Sequence, residues 1–171
     1  RARLHYLIGH ALLKNKDETS RKMPHIEFSI ADHFNLGSSV VSSAAEQRIY
    51  AQVNLSAATR ALHKSQYFEA AKYLSSAFAK LNPESMWEQD YDLTLKLCNT
   101  SALVNVCLGK FESSKRMADR IIANARRFED KRLAFNTLIR LYGGFGADDP
   151  RKALEVARRV LREINPTMYT A

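Results

Sequence analysis

Apolar residues recur at intervals of three and four along almost the whole chain, the period of helices that each bury one face. The first stretch runs from about Ala2 to Leu13, with Leu4, Leu7, Ile8 and Ala11 on the expected buried face. Gly9 inside it is worse than Ala by about 1 kcal/mol, a cost that close helix packing would justify. Lys14 to Met23 is polar and charged and reads as a surface loop. Pro24 fits the first turn of the next helix, His25 to Asn35, whose Ile26, Ile30 and Phe34 form one stripe. Leu36, Gly37, Ser38 and Ser39 then break the pattern.

Ser43 and Glu46 have the spacing of a capping box, in which the hydroxyl accepts from the third helical amide and the carboxylate reaches back to the cap. The helix they open is expected to reach about Lys64. A turn at Ser65 and Gln66 leads to a helix from Tyr67 to Lys80 or Leu81, stopped by Asn82 and Pro83. Ser85 and Glu88 repeat the capping-box spacing ahead of a helix reaching Leu108, with Gly109 placed as the left-handed residue beyond its end. Helices are expected from Phe111 to about Arg126 and from Arg132 to Tyr142, the latter broken by Gly143, Gly144, Phe145 and Gly146. A last helix is capped by Asp149, carries Pro150 at its first position and ends before Pro166. No strand-turn-strand unit is present in the pattern.

Within this array one motif recurs. Ala58, Tyr67 and Ala70 have the same spacing as Ala102, Phe111 and Ser114, with twelve positions between the small residues and the aromatic three before the second. Pro150 and Ala153 form a partial third copy. Small residues at that spacing let two antiparallel helices touch, and the aromatic closes the turn. The expectation is an all-α, tetratricopeptide-like solenoid of about eight helices in four antiparallel hairpins, residues 1–36, 43–82, 85–126 and 129–164 of a single domain. The intervals Ala70 to Ser114 and Ser114 to Ala153 are 44 and 39 positions, longer than the tetratricopeptide repeat of about 34. The two long helices beginning at Ser43 and Ser85 account for the difference.

Composition narrows function mainly by exclusion. With 46% apolar and 26% charged residues, the 171-residue chain has the balance of a soluble domain. No apolar run approaches the roughly 18 residues that cross a bilayer. The opening residues lack an initiator Met and a signal-peptide pattern, as expected of a segment cut from a larger cytoplasmic chain. Cys98 and Cys107, nine positions apart on one helix, point to opposite faces and cannot pair, which fits a reducing compartment. Residues 1–85 carry 11 Lys/Arg against 7 Asp/Glu and residues 86–171 carry 15 against 11, so each half holds +4 of the net +8. No basic tail concentrates that charge.

Several segments taken in order resemble a known setting. They are Arg3 to Gly9 with Leu12 and Leu13; Ile26 to Ile30 with His33 to Gly37; Asn54 to Ala57 with Ser65 to Ala70; and, most telling, Trp87 to Leu95. Together they look like the helical-repeat region of large multidomain signalling ATPases. In that family a protein-kinase-like domain and an AAA/STAND-type ATPase precede the repeats, and a GAF sensor and often a histidine kinase follow. The resemblance implies a non-catalytic scaffold that binds a protein partner or relays signals between neighbouring domains of the same chain. The ATPase and kinase motifs are absent: there is no phosphate loop ending in Lys-Ser/Thr, no His-Arg-Asp and no Asp-Phe-Gly.

Candidate chemistry is sparse. His25 and His33 lie two turns, about 12 Å, apart on one helix, too far for one ion, and no metal site or cofactor is expected. Cys98 and Cys107 lack a glycine-rich elbow and a histidine partner, so no catalytic residue is expected either. Asp148 with Asp149, and Glu129 with Asp130, fit the acidic first turns of helices. In the repeat register the first helix of each hairpin lines the concave face, which would place Gln52, Thr59, His63, Lys96, Asn99, Asn136 and Arg140 along a partner-binding groove. Arg151, Arg158, Arg159 and Arg162 form a basic docking face, opposite an expected buried stripe of Ala153, Leu154, Ala157, Val160, Leu161 and Ile164, with Glu155 in reach of Arg151 and Arg159. Nucleic acid is the weaker alternative, because no aromatic residues interleave with these arginines to stack on bases. The sequence leaves oligomeric state open.

Overall fold

In the computed structural model, which describes residues 1–20, 23, 25–145 and 149–165, every regular element among the described residues is helical. They are α1 (Ala2–Lys14), α2 (Lys16–Ser20), α3 (Ile26–Leu36), α4 (Ala44–His63), α5 (Tyr67–Ala79), α6 (Met86–Gln89), α7 (Tyr91–Cys107), α8 (Phe111–Asn124), α9 (Phe128–Arg140) and α10 (Pro150–Ile164). A 3₁₀ turn at Ser38–Val40 precedes α4, and a π turn at Leu141–Phe145 follows α9. The chain divides into two compact units, Arg1–Leu93 and Thr94–Ala171. Pro24, Gly146, Asp148 and Pro166, each given a role in a turn or helix end above, lie outside the described residues.

In the first unit, α1 packs on α3 through Gly9. A Cβ on Gly9 would stand 2.8 Å from Cδ2 of Phe34, a ring that is fully buried. Gly37 makes the same kind of approach from the other side, its missing Cβ facing the backbone nitrogen of Tyr6 at 2.8 Å and the carbonyl of Ala2 at 3.0 Å. This contact overturns the expected orientation of α1. Gly9 lies opposite Leu4, Leu7 and Ala11 on the helical wheel, so burying it turns those three residues outward; Leu4 is 61% and Leu7 57% exposed. Tyr6, Leu12 and Leu13 flank the contact instead, packing against Ile26, Ile30, Phe34, Val41, Tyr50 and Val53. The Ile26, Ile30 and Phe34 stripe of α3 is buried as its periodicity requires.

Polar ties join the same elements. The capping box of α4 forms: Ser43 Oγ accepts from the Glu46 amide, and Glu46 accepts from the Ser43 amide at 3.0 Å. Glu46 also accepts from the Tyr6 hydroxyl at 2.6 Å, which carries the cap across to α1. Asn35 Nδ2 donates to Asn54 Oδ1 between α3 and α4, and Asn54 Nδ2 donates to the Tyr50 carbonyl. The Tyr73 hydroxyl on α5 donates to Asp32 on α3 at 2.9 Å.

The second capping box does not form. Ser85 has helical rather than extended backbone angles (φ −115°, ψ −7°), and its buried Oγ has no partner. Asn82 holds the turn instead, its Oδ1 accepting from the Glu84 amide and its carbonyl from the Met86 amide. The expected helix from Ser85 to Leu108 is therefore two helices, separated at Asp90 (φ −149°, ψ 70°), where Arg48 of α4 forms an ion pair with the Asp90 carboxylate. The break lets α6 bury both Met86 and Trp87. Two smaller expectations also shift. The Lys14–Met23 loop contains α2, and α9 begins at Phe128, with Glu129 and Asp130 in its first turn.

In the second unit α7 and α8 meet at the second copy of the small-residue motif. Ala102 and Ser114 are buried, and Ser114 Oγ donates to the Ala102 carbonyl at 2.9 Å. Ala58 and Ala70, the first copy, are both fully buried where α4 and α5 pack in the first unit. The two turns share one hydrogen-bond pattern. Gln66 N–H donates to Ala61 C=O and Ser65 N–H to Leu62 C=O; Lys110 N–H donates to Asn105 C=O and Gly109 N–H to Val106 C=O. This is the Schellman motif, with its left-handed residue two positions before the aromatic in each case: Ser65 (φ 58°) and Gly109 (φ 68°).

The last helix corrects another expectation. Asp149 caps α10 by accepting from the Lys152 amide, and Pro150 stands at its start. Its apolar stripe, however, is not buried: Ala153, Ala157 and Val160 are half-covered, while Leu154, Leu161 and Ile164 are exposed. α10 is fixed to α9 by charge as much as by packing. Glu163 accepts from Lys131 at 2.8 Å and from Arg159 at 3.3 Å, and the Arg159 guanidinium lies 5.5 Å from the Phe135 ring centre. The carboxylate that holds Arg159 is thus Glu163, four residues on, rather than Glu155. Burial alone would raise the Glu163 pKa, but the two cations outweigh it and hold the carboxyl below its ordinary value.

Two stability measurements test these contacts. Since a left-handed backbone strains any residue with a Cβ, Ser65→Gly is expected to stabilise the protein by about 1 kcal/mol and Gly109→Ala to destabilise it by a similar amount in urea denaturation. The Tyr6–Glu46 bond predicts pH dependence at both extremes. Tyr6 with the Ser43 and Ser42 amides lowers the Glu46 carboxyl to about 2, so its contribution is present above the unfolded value near 4.3 and fades as pH falls toward 2. Burial, then Glu46, raises Tyr6 to about 12, so that contribution is present below about 10 and is lost as pH rises through 12. Tyr6→Phe should flatten the melting-temperature profile in both windows and nowhere between them.

Candidate functional site

The cavities of the two units collect some of the proposed groove residues and leave others apart. In the second unit a cavity of about 250 Å³ opens between α7 and α9. Leu103, Val106, Leu133 and Leu141 give it apolar walls, and Asn136 and Arg140, both exposed, add an amide and a guanidinium. These two polar residues are one turn apart on α9, so one helical face delivers both. Thr137 lines the cavity too, but its hydroxyl is turned back to the Leu133 carbonyl at 2.9 Å.

Of the remaining groove residues, Lys96 is exposed on α7, and Asn99 is half-buried with its Oδ1 buried and unpartnered. In the first unit Gln52 lines a different cavity, of about 210 Å³, with Leu13, Ile30, Ile49 and Val53. Lys16 and Glu27, 3.9 Å apart, also line it. Thr59 spends its hydroxyl on the Leu55 carbonyl, and His63 is exposed in the last turn of α4. The basic docking face is exposed at Arg151, Arg158, Arg159 and Arg162, although Arg159 is engaged by Glu163.

Other juxtapositions were not legible from spacing. His5 Nδ1 and His33 Nδ1 lie 3.0 Å apart between α1 and α3, so one ring donates and the other accepts. Among the described residues no group of three or more His, Cys, Asp or Glu side chains is placed to hold a metal ion. His25 meets Arg60 of α4 and Lys64 at its C-cap. All three contacts join residues at least 28 positions apart, beyond the reach of a local pattern. The π turn presents Tyr142 to Lys115 and Lys152, whose ammonium groups lie 6.0 and 5.8 Å from its ring centre.

No protein-family model matches the chain, nor does any curated protein or solved structure. Among the described residues no helix is long and apolar enough to cross a membrane.

The cysteines differ sharply. Cys98 is buried in the second unit, and burial pushes its thiol up to about 11, whereas Cys107 is exposed and lines the α7–α9 cavity. A thiol reagent at pH 8 should label Cys107 alone in the native protein, and Cys98 only after unfolding, as peptide mass mapping would read.

Proposed function

We propose that this chain is a non-catalytic, tetratricopeptide-like helical scaffold that binds a protein partner through the face shared by α7 and α9. The cavity between those helices carries the reading. They are the first helices of consecutive hairpins, the position from which such repeats present a concave surface, and the cavity combines apolar walls with Asn136 and Arg140. That combination suits a peptide carrying an aliphatic side chain next to a carboxylate. The apolar group would fill the space between Leu103, Val106 and Leu133, and the carboxylate would meet the guanidinium. The net charge of +8 favours encounter with acidic partners.

On this reading, the repeated Schellman turns and the small-residue crossings at Ala58/Ala70 and Ala102/Ser114 support a recurring helical-hairpin unit. The resemblance of Trp87 to Leu95 and its companion segments suggests the setting, a relay segment in a cytoplasmic signalling ATPase linked to kinase and sensor domains.

Selection of a random peptide display library on the chain tests the proposal. Enriched sequences should pair an aliphatic residue with a carboxylate, and Arg140→Glu should weaken a selected peptide at least tenfold while the melting temperature stays within a few degrees. Peptides without a carboxylate, or affinity indifferent to Arg140, would overturn it.

A further inference from the structure

His25 precedes α3 in the left-handed backbone region (φ 74°, ψ 28°), where residues with a Cβ are seldom held without a tertiary reason. That conformation accompanies a placement of the imidazole between two cations at the end of α4, Arg60 in its last turn and Lys64 at its C-cap. Lys64 Nζ lies 2.7 Å from Nε2, and Arg60 Nη2 lies 3.4 Å from Nδ1. A neutral imidazole has one N–H and one lone pair, so it can accept from only one of these donors; the other contact sets donor against donor. Protonating the ring makes both contacts repulsive.

Among the described residues neither Arg60 nor Lys64 is paired with a carboxylate. The acids on α3 are engaged elsewhere, Glu27 by Lys16 and Asp32 by the Tyr73 hydroxyl. Lys64 also lies 6.0 Å from the ring centre of Phe28, which is itself stacked on Tyr73. His63 adds a further exposed basic side chain on the same turn of α4. Cations at a helix C-terminus offset the helix dipole. The dipole accounts for a positive end to α4, but not for two cations converging on one imidazole.

We propose that His25, Arg60 and Lys64 form a binding site for a phosphate group. A phosphate monoester brings nearly two negative charges and three acceptor oxygens. It can accept from the guanidinium, the ammonium and a protonated imidazole together, which turns three mutually frustrated donors into a satisfied set. Because the phosphate can be free or carried on an amino-acid side chain, the test includes both sources.

The test follows the histidine ring signals by long-range proton–nitrogen NMR at pH 7 and constant ionic strength. Inorganic phosphate and O-phosphoserine are each titrated against chloride. His25 should shift saturably, at millimolar concentration or below, toward the doubly protonated pattern. Arg60→Ala and Lys64→Ala should each weaken the response at least tenfold with unchanged far-ultraviolet circular dichroism, while Arg132→Ala leaves it intact. Tighter binding of O-phosphoserine than of phosphate would identify a phosphorylated residue as the ligand, and equal binding a free phosphate. A chloride titration that reproduces the shift, or a response that survives loss of both Arg60 and Lys64, would overturn the proposal.

Discussion

Close approach of helices at positions without side-chain bulk governs the rest of this structure. α4 meets α5 where Ala58 and Ala70 are fully buried, α7 meets α8 across Ala102 and Ser114, and α1 meets α3 where Phe34 occupies the space that a Gly9 side chain would need. At such crossings the interaxial distance is set by backbone and Cβ atoms, and a larger residue would force the axes apart or strain its rotamer at a cost of about 1–3 kcal/mol. Short separation in turn permits short turns. The Ser65 and Gly109 Schellman motifs reverse the chain within a few residues because the helices they join are already close.

Helix existence was legible because periodicity and punctuation are local, whereas the orientation of a helix depends on what it packs against. Ser43, Gly109, Asp149 and Pro150 announced ends that form as their chemistry requires. Leu4, Leu7 and Ala11 look like a buried stripe only while Gly9 is treated as a defect; once Gly9 is the contact, the stripe must face outward. The Leu154, Leu161 and Ile164 edge of α10 fails for a related reason, since half of an amphipathic face is covered by α9 and the π turn and the rest is left exposed. Ser85 misled because a capping box is a statement about backbone angles as well as spacing, and Asn82 had already wound the chain.

The sites divide along the same line. Asn136 and Arg140 were accessible to register reasoning because one turn of α9 presents both, and the cavity beside them follows from the neighbouring helix. Gln52 lines a cavity of the first unit, and the Thr59 hydroxyl is tied to its own helix, contacts that a register argument does not reach. The His25 cluster had no sequence signal. It depends on a left-handed residue before α3 and on the end of α4, 35 and 39 positions away.

The position of the α7–α9 cavity also bears on how binding could be transmitted. Its walls come from two helices, each braced from behind: α7 by the Ser114 bond to Ala102, and α9 by Glu163 on Lys131 together with Arg159 over Phe135. On the proposed function, a ligand held by both helices would sense the angle between them. A peptide that prefers one angle shifts the hairpins toward it by its difference in affinity, and no more. A relay built this way needs no moving loop. It requires rigid hairpins, a cavity shared between them and a ligand large enough to touch both sides.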